Sequence, residues 1–279
     1  MSTNHYSQQD KPVAIVTGAA GGIGEATARA LARAGYRVFG THRKTPQSKS
    51  TDAEYLVCDV TSDESVETAV KEVLTKAGRI DLLVNNAGVG LIGAAEESSL
   101  AQAKLLFDVN LFGVMRTTKA VLPAMRRQRV GRIVNLSSVQ GLIPAPYMAL
   151  YASSKHALEG YSESLDHELR NAGVRVVLVE PAYTRTLFES NLLQADQPLV
   201  EYQSARWNAQ AVMRDVMKTA DSPELVAKAV LKAATEANPR RRYTAGGLAR
   251  QVSLLRRFVP ESAFDKSLRK QLRLAAQAF

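Results

Sequence analysis

Short apolar runs alternate with longer segments of helical periodicity along most of the chain. The apolar runs are rich in Val, Ile and Leu and occupy residues 13–16, 38–39, 55–58, 80–84, 133–136 and 174–179. Most of these runs are continuous and do not alternate with polar residues, so we expect strands that are covered on both faces. The pattern predicts an α/β fold, in which a single doubly wound, Rossmann-like parallel sheet carries helices on both faces.

Cap and turn residues predict where several of the helices begin and end. Residues 23–35 have a helical pattern that stops at a glycine. Thr61 and Glu64 have the spacing of a capping box, which predicts that a helix starts there. Ser222 and Pro223 are typical of an N-cap and of the first residue of a later helix.

The pattern divides the chain into parts and shows no internal repeat. Residues 1–10 are polar, and we expect a flexible tail there. Residues 11–245 form the predicted Rossmann-type domain, within which residues 187–220 are mixed in composition and predict an insert of loop and helix. Residues 246–279 predict a basic, amphipathic helical extension.

The composition is that of a globular protein, with 46% hydrophobic and 23% charged residues among 279. The single cysteine, Cys58, lies in an apolar run, so we expect a small core residue and no disulfide within the chain. The first ten residues lack the apolar segment of a signal peptide, and no apolar run is long enough to span a bilayer. We therefore expect a cytoplasmic protein.

The net charge of +9 is concentrated near the C-terminus. The segment after residue 238 contains ten basic and two acidic side chains, so it holds eight of the nine net charges. This distribution does not favour nucleic acid as a partner. Apolar residues in the extension fall on common helical faces, at Leu248, Val252, Leu255 and Val259 and again at Phe264, Leu268, Leu272 and Phe279. The extension either docks on the core or a partner subunit, or makes weak contact with a membrane surface.

A glycine-rich loop, residues 17–24, joins the first predicted strand to the first predicted helix. Such a loop lets the backbone approach a pyrophosphate, and a helix N-terminus offers free N–H groups and the positive end of its dipole. The glycine spacing differs from Gly-x-Gly-x-x-Gly, but the position favours a dinucleotide site. The predicted contacts are Gly18, Ala20, Gly22, Ile23 and Gly24.

The end of the second predicted strand indicates which dinucleotide binds. NAD sites usually place an acidic residue there for the ribose 2′-hydroxyl, but no acid occurs between Glu25 and Asp52. His42 and Arg43 stand there instead, and a cationic side chain suits a 2′-phosphate. We expect NADP(H) to be preferred, with NAD(H) as the alternative.

Tyr151 and Lys155 are four residues apart in a helical pattern and share one helical face. An ammonium group, together with oxidised nicotinamide, would lower a phenol pKa from its ordinary value near 10. Tyr151 is therefore a candidate general acid or base. Ser138 follows a predicted strand, where its hydroxyl can face a ligand, and Asn110 is an unusual residue within a predicted helix.

Taken together, these motifs resemble those of the classical short-chain dehydrogenase/reductase family over about residues 11–186. The matching pieces occur in the family's order, at residues 17–24, Asp59 and Val60, residues 85–88, Asn110, Ser138, Tyr151, Lys155 and residues 181–186. The resemblance implies an enzyme that moves a hydride between nicotinamide and a carbonyl or secondary alcohol carbon. One departure is Ala182, where the family usually has glycine.

The resemblance also implies roles for individual side chains. Tyr151 would donate or accept the proton, and Lys155 would lower its pKa and hold the nicotinamide ribose. Ser138 would position the substrate oxygen, and Asn110 would hold a water molecule for proton relay. The further cofactor contacts that it implies are Asp59, Val60, Asn86, Ala87, Gly88, Pro181, Thr184 and Thr186.

The resemblance places mainly apolar side chains around the substrate, with Ser138 among them. They are Leu142, Tyr147 and Phe188, with Leu91, Ile92, Ile143, Met148, Leu187 and Trp207 as further candidates. A homodimer or homotetramer is expected, since symmetric oligomers are common. The four histidines lack metal-ligand spacing, so we predict no metal.

Two other functional classes remain open. One is a catalytically idle NADP-binding sensor, which the presence of both Tyr151 and Lys155 disfavours. The other is a membrane-surface-associated regulatory protein that acts through the basic extension, which would leave the motifs of the main domain without a role.

Overall fold

A computed structural model describes residues 11–44, 52–186 and 192–271. The expected flexible tail, residues 1–10, and the substrate candidates Leu187 and Phe188 lie outside the described residues, as do Leu272 and Phe279. The described strands are β1 Val13–Val16, β2 Arg37–His42, β3 Glu54–Val57, β4 Leu82–Asn85, β5 Leu91–Ile92, β6 Gly131–Leu136, β7 Val174–Pro181, β8 Leu193–Gln194 and β9 Arg242–Ala245.

The described α-helices connect these strands and extend beyond the last of them. They are α1 Gly22–Arg33, α2 Asp63–Ala77, α3 Leu100–Phe107, α4 Gly113–Gln128, α5 Ala149–Leu169, α6 Gln203–Met217, α7 Pro223–Thr235, α8 Gly247–Phe258 and α9 Glu261–Gln271.

Seven of the strands form one parallel sheet in the order β3-β2-β1-β4-β6-β7-β9. One face packs on α2, α4 and α5 around residues such as Phe39, Val121 and Leu165. The other face packs on α1 and α7 around residues such as Leu31 and Val230. The doubly wound parallel sheet expected from the continuous apolar runs is therefore confirmed.

The order of the strands reverses between β1 and β4, whose carboxyl ends lie side by side. In open α/β sheets, ligands bind in the crevice at such a reversal. The loops that follow β1, β4 and β6 therefore meet at one edge of the sheet, which positions the candidate site.

Helix starts differ in part from the sequence prediction. Ser62, not Thr61, is the N-cap of α2, and its hydroxyl accepts a hydrogen bond from Ser65 N at 3.2 Å. Thr61 instead donates its hydroxyl to the Asp59 carboxylate at 2.7 Å, so the capping box predicted with Glu64 does not form. The N-cap Ser222 and the first residue Pro223 of α7 are confirmed.

The insert was expected to be loop and helix, and it also contains β8, which pairs with β5 in a separate two-stranded sheet. Its attachment depends on Glu97, whose side chain is fully buried. The Glu97 carboxylate accepts hydrogen bonds from Ala94 N at 2.9 Å and Leu199 N at 2.8 Å, and it pairs with Arg206 of α6. Helix α6 has no fully buried side chain, and besides these polar contacts its Met213 packs against the buried apolar cluster that contains Leu91 and Met148.

The basic extension contributes α8 and α9. Helix α8 lies against the turn at residues 139–141, which directly follows Ser138. Of the apolar residues on α8, Leu254, Leu255 and Phe258 remain exposed. Within the described ranges, no helix combines the length and apolar character needed to cross a bilayer.

Candidate active site

The glycine loop between β1 and α1 has a shape that side chains would block. Gly18 and Gly22 have φ angles of +65° and +55°, in the left-handed region that favours glycine. At Gly24 the close neighbour is backbone, because a Cβ atom there would collide with the Gly18 carbonyl oxygen and lie 2.5 Å from Asn86 Nδ2. The fold of the loop itself therefore requires glycine at these three positions.

The first turn of α1 offers donors to an anion. Its N-cap, Gly21, has no side chain to bond the first N–H groups of the helix. A Cβ atom at Gly21 would have nothing within 4 Å, so this side of the loop is open. Unbonded N–H groups and the helix dipole suit a phosphate. The cradle therefore fits the pyrophosphate of a dinucleotide.

Thr17 ties the glycine loop to the loop that follows β4. Its hydroxyl oxygen accepts hydrogen bonds from Asn86 N and Ala87 N, both at 3.0 Å. In return, Asn86 Nδ2 donates to the carbonyl oxygens of Thr17 at 2.9 Å and Gly18 at 3.1 Å. The predicted cofactor residues Asn86, Ala87 and Gly18 are thus brought together, whereas the bracing role of Thr17 was not foreseen.

The predicted adenine end of the site lies after β2 and β3. Asp59 accepts hydrogen bonds from the backbone and hydroxyl of Thr61, and the backbone bond holds the pKa of its carboxyl below the ordinary value. Arg43 lies close enough to contribute to this lowering. His42 Nδ1 contacts the Lys44 carbonyl oxygen at 2.8 Å, which leaves Arg43 exposed at the rim.

Ser138, Tyr151 and Lys155 meet at the carboxyl end of β6, and each is less than 9% exposed. The Tyr151 hydroxyl forms a hydrogen bond with Ser138. Lys155 Nζ donates to the Leu136 carbonyl oxygen at 2.8 Å and lies 5.7 Å from the centre of the Tyr151 ring. The structure therefore brings together three of the four predicted catalytic side chains.

The pKa of Tyr151 differs from the value that its position beside Lys155 predicts. We expected Lys155 and an oxidised nicotinamide to lower the pKa of Tyr151. In the protein chain itself, burial raises the pKa of Tyr151 to about 12, although its bond to Ser138 opposes the rise. Burial also lowers the pKa of Lys155 to about 8. By itself, the chain thus holds Tyr151 as a neutral phenol at neutral pH.

Asn110 lies in a π-helical turn, Asp108–Phe112, between α3 and α4, and not in a regular α-helix. Its Oδ1 accepts a bond from Val89 N at 2.9 Å, while its Nδ2 donates to Val89 O at 2.9 Å and to Ser154 Oγ at 3.1 Å. Both amide hydrogens are therefore occupied. The amide positions the loop beside Gly88 and has no hydrogen left to donate to a water molecule.

The predicted cofactor contacts Pro181, Thr184 and Thr186 lie at and after the end of β7, whose last residue is Pro181. Thr184 Oγ1 donates to the Ala182 carbonyl oxygen at 3.3 Å, which closes a short turn. The Thr186 side chain lies 3.1 Å from where a Cβ atom of Gly22 would stand, so this segment reaches the glycine loop. A residue larger than glycine at position 22 would push Thr186 away.

The candidate substrate residues are only partly gathered. Leu91 and Met148 belong to the buried apolar cluster that includes Tyr151. Tyr147 has a φ angle of +63°, an unusual conformation for a residue with a side chain, and its carbonyl oxygen accepts a bond from Gly93 N at 2.9 Å. Trp207, in contrast, is 63% exposed on α6.

Two buried carboxylates, one of them on the same helix as Lys155, were not predicted as part of the site. They are Glu159, one turn further along α5, and Glu180, next to Pro181. The four-residue spacing from Lys155 to Glu159 was visible in the sequence, but only the fold shows that both are buried. No group of three His, Cys, Asp or Glu residues suited to a metal occurs among the residues that the structure describes.

Comparison with known proteins identifies the family. A family model described as short chain dehydrogenase matches residues 12–197. The chain belongs to this family. The expected oxidoreductase class, with a nicotinamide dinucleotide as cofactor, is thereby confirmed.

Two curated relatives are similar over most of their length. A 3-ketodihydrosphingosine reductase from Bacteroides thetaiotaomicron is 33% identical over 260 residues, which is 92% of this chain and 96% of the relative. Retinol dehydrogenase 8 from Bos taurus is 37% identical over 247 residues, which is 81% of this chain and 78% of the relative.

Two solved structures share the fold and contain a cofactor. A short chain dehydrogenase/reductase from Burkholderia phymatum in complex with NAD has a TM-score of 0.78 and 27% identity, covering 94% of this chain and 97% of that one. ElxO with NADP bound has a TM-score of 0.71 and 26% identity, covering 86% and 99%. Similar structures thus hold either dinucleotide, and the likeness does not decide which one this chain prefers.

Two of the four glycines in the loop, Gly24 and Gly21, provide a matched test of its packing. We predict that Gly24→Ala lowers the free energy of unfolding by about 1–3 kcal/mol, because the new methyl group meets backbone that cannot move aside. Gly21→Ala should have an effect below about 1 kcal/mol, since its Cβ meets nothing within 4 Å. Urea unfolding of both variants measures the difference, and equal losses would contradict the packing argument.

Proposed function

We propose that this protein is an NADP(H)-preferring reductase or dehydrogenase in which Tyr151 is the general acid or base. It acts on a carbonyl or secondary alcohol of a mainly apolar small molecule. The observation that carries the proposal is the buried group of Ser138, Tyr151 and Lys155, which meets at the sheet edge that also carries the glycine cradle. An idle sensor would not need this arrangement.

In the reducing direction, a nicotinamide dinucleotide held by the glycine loop would supply the hydride for the carbonyl carbon. Ser138 and the Tyr151 hydroxyl hold the substrate oxygen, and Tyr151 donates its proton to that oxygen as the alcohol forms. A neutral Tyr151 is the form required, and its raised pKa ensures this form at neutral pH. Lys155 places a positive charge beside the phenol, which stabilises the phenolate left after proton transfer.

The preference for NADP(H) rests on the residues after β2. Arg43 is exposed at the rim, near the Asp59 carboxylate, where a ribose 2′-phosphate could reach it. No acidic residue occupies positions 26–51 to favour the free 2′-hydroxyl of NAD. Charge complementarity therefore supports a phosphate at this position.

The apolar substrate class rests on what surrounds Tyr151. The buried apolar cluster that includes Tyr151 also contains Leu91, Leu106, Ala145 and Met148. The two relatives whose names state an activity are named for a ketosphingoid base and for retinol, both of which carry long hydrocarbon portions.

We place the protein in the cytoplasm as a homodimer or homotetramer, and the exposed Leu105 and Phe112 offer apolar surface to a second copy.

Replacement of Tyr151 by Phe tests the catalytic role. We predict that Tyr151→Phe lowers kcat for NADPH-dependent carbonyl reduction by about 10²–10⁴-fold, the usual contribution of a general acid, while NADPH affinity stays within about twofold. Tyr161→Phe is the control, because Tyr161 is a partly buried tyrosine on the same helix outside this group. Steady-state kinetics over a panel of apolar ketones and aldehydes, with fluorescence titration of NADPH, gives both numbers. Full activity of Tyr151→Phe would refute the role.

Replacement of Arg43 by Ala tests the cofactor preference. We predict that Arg43→Ala raises the Kd for NADPH about tenfold or more and leaves that for NADH unchanged, because only NADPH carries the 2′-phosphate. Arg33→Ala, an exposed cation at the end of α1, is the control. An equal rise in the Kd for NADPH and for NADH would mean that Arg43 does not recognise the 2′-phosphate, and it would remove this support for NADP preference.

The exposed face of the extension favours a second property, attachment to an anionic membrane surface. Leu254, Leu255 and Phe258 are exposed on α8, and Arg256 and Arg257 lie between them. Basic amphipathic helices lie at lipid interfaces, where anionic headgroups attract the cations. Such contact would bring an enzyme for apolar compounds close to where they dissolve.

A matched pair of charge variants tests this attachment. We predict that the double change Arg256→Gln with Arg257→Gln weakens binding to vesicles of phosphatidylcholine and phosphatidylserine about tenfold or more. The control is Arg126→Gln with Arg127→Gln, an exposed basic pair in the last turn of α4. Co-sedimentation measures the bound fraction. Absence of binding by the unaltered protein, or equal loss in both pairs, would contradict the attachment through α8.

A further inference from the structure

The helical face that carries Tyr151 and Lys155 continues past the proposed active site. Glu159 and Glu163 follow at four-residue intervals, so the four side chains lie along one line of α5. Glu159 is 4% exposed and stands one turn behind the buried Lys155. A buried carboxylate is costly unless it is paired, so its partners indicate what it does.

The cation that pairs with Glu159 comes from the edge strand β9. Arg242 of β9 donates from Nε to Glu159 Oε2 at 3.0 Å, with a second nitrogen 2.9 Å from the same oxygen. The same guanidinium lies 3.2 Å from Glu180 Oε1 on β7 and 3.4 Å from Glu163. Glu159 is therefore paired with one cation through Oε2, and its carboxyl group also forms a hydrogen bond with Ser137.

The charges around Glu159 come from α5, β7 and β9. Burial raises the pKa of the Glu180 carboxyl to about 8, and the nearby negative charge of Glu159 adds to the rise. Glu180 thus keeps its proton at neutral pH. The remaining charges are the cations Lys155 and Arg242 and the anions Glu159 and Glu163, of which Glu163 is 38% exposed.

Lys155 needs a counter-charge. Burial lowers the pKa of its ammonium group to about 8, and Glu159 is the nearby charge that opposes this change. Without an anion behind it, Lys155 would lose its proton closer to neutral pH. The protein would then lose the positive charge that the proposed mechanism places beside Tyr151.

We propose that Glu159 is a positioning residue that serves as the counter-charge of Lys155, and that Arg242 holds its carboxylate in place. The inference rests on the function proposed for Tyr151 and Lys155 and extends it to a group that does not touch the substrate. It assigns β9, an edge strand distant in sequence from the catalytic helix, a part in keeping Lys155 charged.

The pH dependence of reduction follows from this arrangement. The reaction requires the Lys155 ammonium, so kcat falls as the pH rises through the pKa of that group. Removal of the Glu159 charge lowers this pKa further, and the alkaline limb of the profile moves about one pH unit toward acid. Removal of Glu180 takes away a negative charge that forms near pH 8, so the same limb moves in the same direction but less far.

The test compares pH profiles of kcat for Glu159→Gln, Glu159→Asp, Glu180→Gln and Glu163→Gln. We expect the limb to move in Glu159→Gln, to return toward the original position in Glu159→Asp, and to stay in place in Glu163→Gln. Glu180→Gln gives the smaller move and serves as the second variant if Glu159→Gln does not fold. An alkaline limb unchanged in both Glu159→Gln and Glu180→Gln, or moved equally in Glu163→Gln, would overturn the proposal.

A readout without turnover separates this inference from the function on which it rests. The pKa of Lys155 is measured by ¹³C NMR of the lysine Cε signals, assigned with Lys155→Met, in the unaltered protein and in Glu159→Gln. A lower pKa in Glu159→Gln supports the counter-charge even if no substrate is turned over, in which case only the proposed function fails. An unchanged pKa overturns the counter-charge while leaving Tyr151 catalysis intact.

Discussion

Hydrogen bonds and one short stretch of backbone, residues 87–89, connect the glycine loop to the helix of Tyr151. This path begins at the Thr17 hydroxyl, which holds the backbone of Asn86 and Ala87, and continues through Val89 to the Asn110 amide. From there it passes to Ser154, whose hydroxyl donates to the Tyr151 carbonyl oxygen at 2.8 Å. A buried polar group that loses its partner costs about 1–3 kcal/mol, so each link fixes the next. The loop that cradles phosphate and the helix that carries the acid therefore keep one fixed spacing.

This path can exist because the parallel sheet delivers its polar residues to one edge. The central strands β1, β4 and β6 are almost entirely buried, and polar residues (Thr, Asn and Ser) occur where each of them ends. Burial then shifts the two pKa values in opposite directions. It raises the pKa of Tyr151, which favours the neutral phenol, and lowers the pKa of Lys155, which disfavours the ammonium form. The fold thus sets both the geometry and the protonation states before a cofactor arrives.

Much of this architecture was accessible from the sequence, for identifiable reasons. The strands from β1 to β7 that form the main sheet are continuous apolar runs, and the glycine loop and Tyr151 with Lys155 are local patterns. The strand β9 was missed because it reads Arg-Tyr-Thr-Ala within a basic stretch, and only its pairing with β7 makes it a strand. The π-helical turn at Asn110 and the ion pair between Arg242 and Glu159 depend on contacts between segments that are distant in sequence. Local sequence patterns do not predict such contacts.

The way in which the insert is fastened has a consequence for how such enzymes diversify. Helix α6 buries no side chain fully and packs Met213 against the apolar cluster beside Tyr151, while Glu97 supplies the buried anchor for the residues around Leu199 and Arg206. Sequence changes on the remaining surface of α6 therefore cost little folding free energy. A segment that is attached at a few points and exposed over the rest of its surface is a natural place for evolution, or for protein engineering, to alter which molecules are admitted while the chemistry stays the same.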